Sequence, residues 1–384
     1  MGIVLQADTA ELEIQSKQPV LAILTVDDEI QMFRGNRSNF ADLIQAGGEH
    51  GFIVYVVTVK QLKLTRKQLD GFTFDASTES WVMQKFPFPD LIYNRIPLRE
   101  DELLPEVKQK IAACMKNPRV KLFNPAFFNK WSLFKWLRMS KSTQPFIPTT
   151  RRMLTQGGLG KMMIKHKFLY LKPISGKAGK GIMTIQLQPE KPLPYRLKIQ
   201  ADKKSITYNC GTINKLWVRI KKESTGERYI AQQGIQLASF NERSFDLRAL
   251  VQKNQRGQWD ISGIGARVAG SLSITTHVPR GGSIDDPEKL LISAFGHEEA
   301  RKLLVKTHNT ALTIAKQIER GSRRRLVEMS LDLGVDQEGN IWFFEANAKP
   351  MKFDEPDIRK RSLDRIFQYG HYVLNKKAGK KGAV

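Results

Sequence analysis

Residues 330–350 read SLDLGVDQEGNIWFFEANAKP, two apolar runs hinged on a turn. The DQEGN segment predicts a hairpin turn, which sets Asp332 on the first strand and Glu345 and Asn347 on the second. Side chains alternate along a strand, so Glu345 and Asn347 share a face, and a hairpin of this size lets Asp332 face Glu345. The apolar IWFF run marks the second strand as central, and acidic groups at the end of a central strand repel each other and lose hydration unless something compensates. A polar strand edge beside a turn is the bland alternative. A hard dication is the functional one, because Mg²⁺ or Mn²⁺ takes a few carboxylate oxygens and completes its octahedron with phosphate oxygens and water.

A second stretch, LYLKPISGKAGKGIMTIQLQ at residues 169–188, sets glycines and lysines between two alternating runs. A Walker loop would open a helix with Gly-Lys-Ser/Thr, but here Gly181 is followed by Ile182 and a β-type run. A dinucleotide fingerprint also ends in a helix, whereas KGIMTIQLQ alternates with period two. What remains is a hairpin with a glycine-rich tip and Lys172 held on the strand that leads into it. Such a tip either closes over a phosphate or is a solvated basic turn.

The chain's 384 residues suffice for two or three packed units. Its 62 Lys and Arg against 38 Asp and Glu give a net charge of +24, a field that favours anionic partners: nucleic acid, phosphorylated ligands, acidic peptides or anionic polymers. The two cysteines, Cys114 and Cys210, form no CxxC pair, which argues against a disulfide scaffold or structural zinc and for a reducing cytoplasm. The first residues lack the basic start and apolar run of an export signal, and no run of 18 apolar residues occurs, so a soluble protein without a transmembrane segment is expected. Gln6 departs from the myristoylation pattern.

Along the chain, a short extension (1–18) precedes alternating strand and helix signals over 19–120, which predict a small open parallel α/β sheet. Residues 121–235 open with a helix near Lys130. Basic, glycine-bearing connectors follow, then a mainly antiparallel unit completed by LWVRIKKE and YIAQQGIQL. Residues 236–375 combine strands, a long helix and the acidic hairpin, and the basic tail 376–384 reads as disordered.

Taken together, Lys130 at a helix start, Lys172 before a glycine loop, and Asp332, Glu345 and Asn347 on a hairpin resemble the ATP-grasp superfamily of carboxylate ligases. The closer resemblance, carried by LAILTVDDEIQMFRGNRSNFADLI, LIYNRIPLR, FNPAFFNKW, SFDLRALVQ, VPRGGS and FFEANAKP in that order, is to the YheC/YheD-type endospore-associated proteins and spans roughly residues 19–375. The resemblance implies an ATP-grasp fold behind an N-terminal α/β domain. It also implies ATP with Mg (or Mn), a carboxylate substrate, an amine acceptor, and a place at the spore coat or forespore surface of a sporulating bacterium. Lys130 and Lys172 would grip the ATP phosphates. Ser175, Gly176, Gly179 and Gly181 would close over them, with Lys177 and Lys180 either adding charge or remaining solvated. Gln232, Gln233, Gly234 and Ile235 would line adenine. Arg248 and Arg267 would face the transferred phosphoryl and the carboxylate, unless they are structural ion-pair arginines. Asp332, Glu345 and Asn347 would hold the metal. His277 departs from the pattern, since the superfamily commonly places Asn there. Two other readings stay open: a non-catalytic ATP-binding spore protein, and a nucleic-acid binder resting on the net charge and the runs GSRRRL and NKKAGKKGAV, which lacks a recognisable reading module.

Overall fold

The computed structural model describes residues 18–175, 180–201, 204–270, 273, 274, 276 and 281–378. Gly176, Lys177, Gly179, His277 and the tail 379–384 lie outside the described residues. Three six-stranded sheets and a two-stranded ribbon make up the strand content of the described residues.

In the first sheet, Val20–Thr25 runs parallel to Ile53–Thr58 on one side and Leu91–Asn94 on the other, and Lys121–Phe123 extends the parallel set. All six residues of VLAILT are buried, as expected for a strand covered on both faces. The parallel sheet predicted for 19–120 is therefore present, but it is not purely parallel. A hairpin, Gln68–Asp75 with Ser80–Pro87, adds two antiparallel strands at one edge. Its outer strand is mostly exposed and buries no regular stripe, so the sequence carries no period-two apolar signal there. Asn36 caps helix Arg37–Glu49, its side chain accepting from the N–H of Asn39 at 3.0 Å. The C-terminal helix Pro356–Ala378 returns to this sheet, where Ile366, Phe367 and Tyr369 share a core with Leu21, Ile23 and Val54.

The second sheet is antiparallel throughout, in the order Ser205–Cys210, Tyr195–Gln200, Met183–Leu187, Phe168–Pro173, Tyr229–Gln233, Thr150–Arg152. LWVRIKKE is not one of its strands, contrary to the expectation; it belongs to helix Ile213–Glu223. Leu216 and Ile220, four apart, are buried, while Val218 between them is exposed, and Thr212 caps the helix by accepting from the N–H of Lys215 at 3.2 Å. The connector expected before Phe168 also contains a helix, Gln156–His166, capped by Thr155. Both helices cover one face of the sheet, packing Leu159, Met163, Leu216 and Ile220 against Leu169 and Leu171.

The third sheet runs Ser283–Asp285, Trp259–Val268, Arg243–Lys253, Glu328–Val335, Ile341–Asn347, with Ser239–Phe240 paired on Arg243–Lys253. Helices Lys130–Arg138 and His297–Ser322 pack against it, and the rings of Phe134 and Phe343 meet edge to face at 5.6 Å. Buried polar groups join this sheet to the first. Glu328 accepts from Arg95 at 3.0 Å and Gln252 at 3.2 Å and also from Tyr93, while Lys349 donates to Asn94 at 2.9 Å, the carbonyl of Ile96 at 3.0 Å, and Glu102. Satisfied on several sides, these buried charges fix the two sheets in one register.

Candidate active site

The acidic hairpin forms as its sequence predicts. Asp332 lies directly opposite Glu345, and Ser330 opposite Asn347. Between these pairs and the turn the register shifts, with Leu333 facing Phe343, so Phe344 is an extra residue on its strand. The bulge breaks strict alternation. Phe343 stays in the core, and the consecutive Phe344 and Glu345 both line the same cleft. Gly334 makes room for this, since a Cβ there would stand 2.4 Å from the Phe344 ring.

Strands Arg243–Lys253 and Trp259–Val268 bring three further charges, Asp246, Arg248 and Arg267, to the neighbourhood of Asp332. Arg248 is opposite it in register, with Nε 3.9 Å from Asp332 Oδ1 and Nη2 donating to Ser330 Oγ at 3.1 Å. Arg267, on the next strand, donates to both oxygens of Asp246 at 2.9 Å and lies 3.1 Å from Asp332 Oδ2. Thr276 donates to Asp246 at 2.6 Å. Burial works against the Arg267 charge, but the carboxylates of Asp246 and Asp332 outweigh it and hold the guanidinium firmly protonated. Asp246 was not among the sequence candidates. Its signal was present in SFDLRALVQ: it lies two residues before Arg248, on the same strand face.

Lys172 approaches from the antiparallel sheet. Its Nζ donates to Gln232 Oε1 at 2.7 Å and stands 5.5 Å from the Tyr170 ring and 5.3 Å from the Phe344 ring. Gln232 is fixed in turn by donating to Thr150 Oγ1 at 3.0 Å. Burial pushes the Lys172 pKa down to about 8; the Glu345 charge opposes the shift and the Lys130 charge adds to it. Lys130, buried at the first turn of its helix, donates to Glu345. The two predicted phosphate lysines thus flank Glu345 from different elements, although Lys130 does not itself line the cleft.

The cleft between the second and third sheets holds about 530 Å³, in the range of small-molecule sites. Lys172, Gln232, Gln233, Ile235, Arg267, Asp332 and Glu345 line it; Arg248, Gly234 and Asn347 do not. Gly234 is packed against Phe168, and the N–H groups of Gln233 and Gly234 are taken by the carbonyls of Thr149 and Phe168, each at 2.8 Å. At the loop, Ser175 is exposed, and Gly181 has φ +72°, a conformation open to glycine, with its carbonyl accepting from Tyr229 at 2.9 Å.

Among the described residues no three His, Cys, Asp or Glu side chains are grouped to hold a metal ion alone. The donor set still suits a hard dication. Asp332 and Glu345 face one another at the cleft wall, Asn347 follows two residues on, and the remaining ligands of such an ion are phosphate oxygens and water. Glu345 would exchange Lys130 for the ion, since both claim the same carboxylate.

An antiparallel lid sheet that brings a lysine down onto an acidic hairpin of a second mixed unit, behind an N-terminal α/β sheet, defines the ATP-grasp class. The model of the YheC/D-like ATP-grasp family matches residues 119–373, and the chain belongs to that family. Endospore coat-associated protein YheD of Bacillus subtilis is 25% identical over 371 residues, covering 93% of this chain and 79% of that protein. Endospore coat-associated protein YheC of the same organism is 22% identical over 313 residues, covering 81% and 84%. The VanG D-Ala:D-Ser ligase of Enterococcus faecalis has the same fold, with a TM-score of 0.52 and 11% identity over 93% of this chain and 100% of that one. No helix among the described residues is long and apolar enough to cross a membrane.

Proposed function

We propose that the chain is an ATP- and Mg-dependent carboxylate–amine ligase associated with the spore. Membership in the ATP-grasp family supports ligation of this general kind. The observation that carries the specific reading is the convergence of Lys172 from one sheet with Asp246, Arg267, Asp332 and Glu345 from another on a single cleft. Lys172 would grip phosphate oxygens, joined by Lys130 once Glu345 releases it; Arg267, with Arg248 behind the cleft wall, would hold the transferred phosphoryl and the carboxylate in line; and Asp332 and Glu345, with Asn347 two residues on, would hold the metal. When bound, a dication there would neutralise the charge that develops on the phosphoryl oxygens. The substrate carboxylate oxygen attacks the γ-phosphorus and the bond to the β-phosphate bridging oxygen breaks, leaving ADP and an acyl phosphate. The amine lone pair then attacks the acyl carbon, phosphate leaves, and the ammonium proton passes to solvent. With the N–H groups of Gln233 and Gly234 already committed, the adenine edge is met by the backbone from Ile235 onward and by the Gln233 side chain.

The test is metal-dependent ADP release across amino acids, short peptides and acidic polymers, with hydroxylamine present to trap the acyl phosphate as a hydroxamate. Nucleotide binding without turnover on any carboxylate would favour the non-catalytic reading. Glu345→Gln keeps an acceptor for Lys130, so its cost in stability should stay below about 3 kcal/mol. Its rate should fall on the order of a hundred- to a thousandfold, and its nucleotide affinity should lose most of its dependence on Mg²⁺. Unchanged metal dependence in a titration of the variant rejects Glu345 as a ligand.

Lys172 gives a pH signature with two opposite signs. Its folded pKa, about 8, lies below the ordinary lysine value of 10.5. Between those values the unfolded chain binds more protons, so this group makes the nucleotide-free protein more stable as pH rises from 8 towards 10.5. Affinity for ATP should move the other way and weaken above about pH 8, as the charge that meets phosphate is lost. Calorimetric ATP titrations between pH 7 and 9.5 check this, and Lys172→Met should flatten the profile.

A further inference from the structure

The face of the lid sheet turned away from the cleft is covered by helices Gln156–His166 and Ile213–Glu223, which lie side by side and are tied by Gln156 donating to Asn214. Helical spacing puts Lys161, Ile164 and Lys165 in one sector of the first helix and Lys215, Val218 and Lys222 in one sector of the second. All six are exposed, Ile164 at 76% and Val218 at 68%. No acidic residue shares either sector, and Glu223, the single acid in the two helices, is paired with Arg219 at 3.3 Å.

An ordinary solvated helix face mixes signs, as His297–Ser322 does where Lys302 bridges Glu298 and Glu299. The lid does not. Residues 150–233 hold 18 Lys and Arg against 4 Asp and Glu, a balance of +14 out of the chain's +24. Part of that balance faces the cleft, where Lys172, Arg196 and Lys198 stand, but the two helix sectors alone carry four lysines and no acid, and like charges gathered on one surface repel each other at a cost that an anionic partner removes.

We propose that this back face of the lid docks on an anionic lipid bilayer, with the four lysines at the headgroup phosphates and Ile164 and Val218 seated among the first acyl carbons. The two apolar side chains decide between anionic partners. Against a nucleic acid or a carboxylate polymer they would be pressed onto charge, whereas at a bilayer interface their burial adds to the electrostatic attraction. Every aromatic side chain in residues 150–233 is buried or half-buried, so no platform for stacking bases is offered. Association of this kind is peripheral, and the sheet's other face, with Lys172 and Gln232, still looks into the cleft. This surface is independent of the ligase chemistry.

Sedimentation of the full chain with vesicles of one-third phosphatidylglycerol in phosphatidylcholine, against phosphatidylcholine alone, tests the assignment. Binding is expected only to the anionic vesicles and should weaken with salt. Each lysine contributes about fivefold in affinity, so K161E/K165E/K215E/K222E should lose at least a hundredfold. I164S/V218S, with unchanged charge, should lose several-fold. Both variants should keep the parent's ATP affinity and unfolding midpoint, since none of these positions lines the cleft. Wild-type protein that ignores anionic vesicles overturns the proposal. So does an I164S/V218S variant that binds them like wild type while duplex DNA competes the vesicles away.

Discussion

Lys172→Ala is expected to abolish hydroxamate formation, with any residual turnover down at least a hundredfold. Lys172 is the cation that the antiparallel sheet presents to the acidic hairpin, held by Gln232 at 2.7 Å and backed by the rings of Tyr170 and Phe344. Its removal leaves the hairpin itself intact, because Lys130 still pairs with Glu345 and Arg267 with Asp332. Stability should hold or rise slightly, since a partly buried charge is taken away while Gln232 Oε1 is left to water in the open cleft. ADP release, hydroxamate yield and a urea melt on one preparation separate the two effects. A variant that turns over at more than a tenth of the wild-type rate removes Lys172 from the phosphate-binding role.

Arg267→Met should be the most destabilising single change in the site, by about 3–5 kcal/mol. Asp246 and Asp332 are 5% and 4% exposed, and Arg267 is the cation that bonds both. Without it two carboxylates stay buried close to one another, and the cheapest response is to take up a proton. The sign follows. Carboxylates whose folded pKa is raised lose stability as pH rises above their unfolded pKa, so the variant should be relatively more stable near pH 5 than near pH 8. In the wild type, where Arg267 pairs with both, Asp246 and Asp332 should contribute no such gain on acidification. Asp246→Asn in the Arg267→Met background should restore part of the loss. Urea midpoints at the two pH values check all three statements, and a loss under about 1 kcal/mol would show that Arg267 is held for a ligand more than for the fold.

Much of the site was legible because strand periodicity and turn chemistry are local. DQEGN and the flanking alternation were enough to set Asp332 against Glu345, and the apolar setting of Lys172 marked it as more than a surface lysine. Asn36 and Asn129, which the sequence reading did not single out, cap their helices by accepting from the N–H groups of Asn39 and Ser132, a choice also made within a few bonds. LWVRIKKE failed for an equally local reason: Leu216, Val218 and Ile220 satisfy period two, while Leu216 and Ile220 alone satisfy one helical turn. Eight residues cannot separate those periods, and only the packing of Leu216 and Ile220 on the lid sheet decides, leaving Val218 in solvent.

Charge pairing was beyond the sequence altogether. That Arg267 would serve Asp246 and Asp332, that Lys130 would find Glu345, and that Lys349 would reach back to Asn94 and Glu102 depend on strand order, a bulge at Phe344 and the meeting of sheets formed from distant segments. By itself the sequence determined which residues alternate, turn and cap, because those choices are made within a few bonds. The tertiary structure alone decided which charge neutralises which, because a buried ion is stable only where the folded chain brings its partner within a few ångströms.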